Sequence, residues 1–70
     1  MNNDMSSLGL ELPKEQTRCR ELLGHYKEIG PAGQFGAMMI EQALQRADHA
    51  VMSGDVVAMI QSYDELKNIK

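Results

Sequence analysis

The stretch Glu28-Ile29-Gly30-Pro31-Ala32-Gly33 cannot carry one uninterrupted helix, and it sits near the middle of a 70-residue chain. Proline lacks a backbone N–H and pushes the residue before it out of the helical region. Glycine at that preceding position suits the left-handed conformation that closes many helices. A second break follows at Ser53-Gly54-Asp55, where Gly54 can end a helix and Asp55 can cap the next one. These two interruptions divide the chain into three pieces, each of which has helical periodicity.

The first piece, predicted over 13–29, opens at Pro13, a residue suited to a first helical turn. Its apolar stripe is Cys19, Leu22, Leu23, Tyr26 and Ile29, at three-four spacing. The second, over 34–52, has Gly36, Ile40, Ala43, Leu44, Ala47, Ala50 and Val51, mostly small residues that permit a close helix crossing. The third, over 55–69, has Val56, Met59, Ile60, Tyr63, Leu66 and Ile69, with Lys67 and Lys70 placed to complement the helix dipole. The short second break makes helices two and three antiparallel neighbours. Residues 1–12 precede these pieces; Leu8, Leu10 and Leu12 alternate with Gly9 and Glu11, the period of an extended segment. The expected fold is therefore all-α: a small three-helix domain with an extended, flexible N-terminal arm. That arm either lies across the helices or docks on a partner.

Size and charge then exclude whole classes of function. A chain this short buries only about 60% of the surface its unfolded form exposes, and such folds usually rely on a disulfide, a metal or a partner. One cysteine, Cys19, precludes an intrachain disulfide and suits a reducing, cytoplasmic setting. No secretion leader is expected from the polar start, and no apolar run reaches the ~20 residues that span a bilayer. Net charge is −3, and each half carries more acids than bases, five against four and then five against three. Without clustered cations or a set of stacking aromatics, direct nucleic-acid binding is not expected.

Catalysis is not expected either. Cys19 and His25 lie about 9 Å apart along one helix, too far to pair. Two histidines and one cysteine without close spacing make no metal site. Asp64 and Glu65 suit a solvated face rather than a shared acid–base pocket. No cofactor is implied.

Two resemblances cover parts of the chain. "ADHAVMSGDVVAMIQSYDEL", Ala47 to Leu66, resembles the inside of a tetratricopeptide-type repeat through its small residue, its Gly54-Asp55 turn, Ala58 and Tyr63. It implies hairpin geometry only, since a solenoid needs about three or more stacked repeats. More broadly, "CRELLGHYKEIGPAGQFGAMMIEQAL" and "GDVVAMIQSYDELK" resemble small accessory proteins of tailed phages and prophages, a group without an assigned activity. That likeness implies a non-enzymatic inhibitor that binds a host protein, such as a component of antiviral defence. A nucleotide signal of such a defence is the second class of target it implies.

Two candidate sites follow. Six methionines are many for so short a chain, and methionine is favoured on surfaces that adapt to partners. Phe35, Met38 and Met39, with Leu8 and Leu10 of the arm, are the candidate partner-binding residues; a homo-oligomer, a dimer above all, is expected through them. The second candidate is an anion site at the start of helix two. Gly33 and Gly36 would let a phosphate approach the free N–H groups, and Arg18, Arg20, His25 and Lys27 would supply charge. Such a site would serve an oligomeric sponge for a nucleotide ligand. The other reading of these glycines is close helix packing. A structural or assembly module without ligand is the third functional class.

Overall fold

A computed structural model describes residues 4–70 of the chain, with side chains from Ser7 onward. Among them stand three α-helices: α1 (Asp4–Ile29), α2 (Gln34–Ser53) and α3 (Val56–Lys67), with a 3-10 turn at Pro31–Gly33 leading into α2. The all-α, three-helix architecture is as the periodicity predicts. α2 and α3 form the antiparallel hairpin, and α1 packs against both.

Local chemistry sets the breaks. Gly30 has φ +89° and Gly54 φ +69°, the left-handed region that costs a side-chain-bearing residue most and glycine least. The Gly54 N–H reaches back to the Val51 carbonyl at 3.2 Å, closing α2. Asp55 then caps α3, its side-chain oxygen accepting from the Ala58 N–H at 3.1 Å. A cap of this kind is worth about 1 kcal/mol.

The largest difference from the sequence reading lies before Pro13. Residues 1–3 of the predicted arm lie outside the described residues, but from Asp4 the chain is helical, and Pro13 sits inside α1 rather than at its start. A proline in a helix interior costs about 3 kcal/mol. Here it is offset by Leu8 and Leu12, four residues apart on one face, which are 7% and 0% exposed. Burying each contributes about 1.5–3 kcal/mol, so helical packing outweighs the break. Leu10 points the other way and is 68% exposed. The leucines thus follow helical spacing, and their alternation in sequence is incidental.

The core runs along the centre of the three helices: Leu8, Leu12 and Cys19 from α1, Ile40, Ala43, Leu44 and Ala47 from α2, and Leu66 from α3. Leu22, Leu23, Tyr26, Met59, Tyr63 and Ile69 cover its margins. Each predicted stripe is rotated slightly. In α2, Ala37 is buried while Val51 is exposed; in α3, Ser62 is buried while Val56 and Ile60 are exposed; Ile29, at the end of α1, is exposed. Among the described residues no helix is long and apolar enough to cross a membrane.

Candidate interaction surface

The start of α2 is built around Tyr26. Its ring lies against Gly36 and its backbone carbonyl against Gly33: a Cβ added at Gly33 would fall 2.2 Å from the Tyr26 oxygen, and one at Gly36 would fall 2.5 Å from the ring. The Tyr26 hydroxyl donates to the Lys70 carbonyl at 3.2 Å, tying this corner to the end of the chain. Gly33 and Gly36 therefore serve close packing between α1 and α2. The Gly33 N–H already bonds the Gly30 carbonyl, and the Gln34 N–H bonds that of Pro31. Two donors that an anion would need are thus occupied by the 3-10 turn.

The cations assigned to that anion site are not gathered there. Arg18 donates to Glu15 Oε1 at 2.9 and 3.0 Å and to the Leu66 carbonyl at 2.8 Å, so its charge sits at the C-terminal end of α3, where the helix dipole favours it. The hydrogen bond to Glu15 holds the Arg18 guanidinium above its ordinary pKa. Arg20 contacts both oxygens of Asp48 at 2.7 Å, and Gln16 donates to the same carboxylate at 2.8 Å, which fastens α1 to α2. His25 and Lys27 are exposed. Of the four, only Lys27 borders the shallow groove beside Gly30, Pro31 and Gln34, and Glu41 lines the same groove.

Cys19 is fully buried and its thiol donates to the Leu66 carbonyl at 3.6 Å. Burial pushes the thiol pKa up, which keeps it protonated and inert. Alkylation by iodoacetamide is expected to be slow in the folded protein and to accelerate in step with unfolding as urea is added. Rapid labelling without denaturant would contradict this burial. Among the described residues no group of three or more His, Cys, Asp or Glu side chains could hold a metal ion.

The candidate partner-binding residues divide. Leu8 belongs to the core and is withdrawn from the surface set, because it occupies the inward face of the extended α1. Phe35, Met38, Met39 and Leu10 are exposed, at 70%, 47%, 50% and 68%. Phe35, Met38 and Met39 share the outer side of the first turns of α2, and Ile29 of α1 lies beside Gly33 at the same corner.

The sequence reading missed the outer face of the hairpin. An open cleft of about 560 Å³ runs between α2 and α3, lined by Gln42, Gln45, Arg46, His49, Gln61 and Ser62 among others. Arg46 reaches across to Glu65, an ion pair that raises the guanidinium pKa. Gln42, Gln45 and His49 make no side-chain hydrogen bond to the described residues, unlike Gln16, which is held by Asp48. Polar residues at three-four spacing occur on any solvated helix face, so the sequence carried no distinct signal for this one.

Comparison with protein-family models, with curated proteins and with solved structures returned no match for this chain.

Proposed function

We propose that this chain is a non-enzymatic binding protein whose working surface is exposed apolar helix. One observation carries the reading. The described residues bury five large aliphatic side chains, Leu8, Leu12, Ile40, Leu44 and Leu66, alongside four alanines and a cysteine; they expose ten large apolar side chains. Isolated exposed leucines are ordinary, but Phe35, Met38 and Met39 are grouped on one side of α2, and a grouped apolar surface supports a contact role. Methionine, the most adaptable apolar side chain, supplies three of the ten: Met38, Met39 and Met52.

The phage-like sequence features favour a host protein as the partner, held in the cytoplasm and blocked rather than modified. The net charge of −3 suits a partner whose working surface is basic. In a pull-down from host lysate, the tagged chain is expected to retain one dominant protein, and Met39→Glu is expected to lower its recovery at least tenfold while leaving the helical circular dichroism unchanged. Met39 is half exposed, so the substitution tests contact rather than folding. Undiminished recovery with the charged variant, or no retained protein at all, would overturn the reading.

A further inference from the structure

The outer side of α2 carries a series that the core does not use: Phe35, Met38, Gln42, Gln45, His49 and Met52, spaced three, four, three, four and three. All six are exposed. Alternating three-four spacing sets the six side chains in one line along the helix, the line a second helix packing lengthwise would contact. None of the six carries a fixed charge, although 24% of the chain's residues are Asp, Glu, Lys or Arg. The outward residues of α1 behave differently, with Lys14, Glu21 and Glu28 among them. An exposed ridge without a fixed charge that runs the length of one helix calls for a specific occupant.

The order of residues along the ridge says which. It is apolar at both ends and amide-bearing in the middle, and it is symmetric about a point between Ala43 and Leu44. Reversing a second copy about that point sets Phe35 against the second Met52, Met38 against the second His49, and Gln42 against the second Gln45. The outermost apolar residues, Phe35 and Met52, then meet each other, Met38 lies along an imidazole, and the central amides, which have no partner among the described residues, can bond each other. This is the self-complementarity an isologous two-fold contact requires. The side positions agree in part: Arg46 stays paired with Glu65, and Asp48 is neutralised by Arg20, so neither brings a bare charge to the contact.

We infer that α2 is the interface of a homodimer in which two α2 helices run antiparallel along this ridge. The inference rests on the reading of the exposed apolar surface as a binding surface and names a second copy of this chain as the occupant of its α2 part. Phe35 and Met52 are its anchors, the central glutamines fix its register, and Met39 at its flank stays available to another protein.

The test is light scattering on the pure, full chain combined with a charge exchange across the seam. The wild type is expected at twice the 7.8 kDa of one chain. Phe35→Glu and Met52→Lys, each alone, are expected to raise the dimer dissociation constant roughly thirtyfold or more, the scale of a lost hot-spot side chain. The double variant F35E/M52K is expected to recover the dimer, because the reversed register sets each introduced carboxylate against an introduced ammonium group of the other copy. A parallel pair would set like charges together and gain nothing. Both substituted positions are exposed, and unchanged circular dichroism confirms that folding is intact. A monomeric wild type, single variants that remain dimeric, or a double variant as dissociated as the singles would each overturn the inference. A monomer that still retains its lysate protein refutes the seam alone. A dimer that retains none upholds the seam and refutes the host-binding reading.

Discussion

Gly33→Ala is expected to destabilise the protein by about 3 kcal/mol, close to the upper end for overpacking in a tight site. A domain of this length has a total stability of roughly 3.5–10 kcal/mol, so a large fraction would be lost. The added methyl group would stand 2.2 Å from the Tyr26 carbonyl oxygen, and backbone cannot rotate away as a side chain can. Gly33 has φ −94° and ψ −2°, so the cost is one of space rather than backbone conformation. Gly36→Ala offers the contrast. Its methyl group would meet the Tyr26 ring, which can swing at the expense of its bond to Lys70. Alanine also gains about 1 kcal/mol over glycine inside a helix, leaving a net change near zero. In a Tyr26→Ala background, Gly36→Ala should therefore become stabilising, whereas Gly33→Ala should still be harmful. Urea midpoints of the single and double variants check both statements. A neutral Gly33→Ala would refute the close crossing of α1 and α2.

Leu12→Ala should cost about 2–5 kcal/mol, the range for emptying a fully buried leucine site, and Leu10→Ala should change stability by less than about 0.5 kcal/mol. The two residues are neighbours but one, so any general effect of shortening side chains applies to both. Only the helical arrangement separates them, since it places Leu12 at 0% exposure and Leu10 at 68%. An extended arm lying loosely on the helices would make the two variants alike. Chemical denaturation followed by circular dichroism distinguishes the cases, and equal midpoints would refute the helical extension of α1 before Pro13.

Much of the fold was legible because its boundaries are set by local chemistry. Gly30 and Gly54 adopt positive φ, and Asp55 caps α3; each effect depends on residues within one turn. The extent of α1 was hidden because its cause is tertiary. Read locally, Pro13 starts a helix, and only the core that receives Leu8 and Leu12 reveals that the helix passes through it. The rotated stripes have a similar origin. Apolar spacing ranks Val51 and Val56 above Ala37 and Ser62, but closely approaching helices favour the small residues at their centre. For the candidate anion site, the sequence placed glycines and arginines near one helix start but could not show their partners. Glu15, Asp48 and Tyr26 take them up in the folded chain. The exposed apolar residues at the start of α2, Phe35, Met38 and Met39, were legible as large side chains without an inward role. Their continuation into Gln42, Gln45 and His49 was obscured because glutamine carries no mark of burial or contact in a sequence.

The proline inside α1 has one more consequence. With no N–H at position 13, the Gly9 carbonyl loses its intrahelical donor, and the backbone ladder of the rod is weakest at that point. The portion after Pro13 is already furnished with a proper beginning and can persist as a helix by itself. The portion before it can therefore unzip as a unit, lifting Leu8 and Leu12 away and wetting the apolar cluster they belong to. Amide protons in the leading segment would thus exchange through a shallower opening than those of the following rod, giving this small protein two tiers of breathing rather than one.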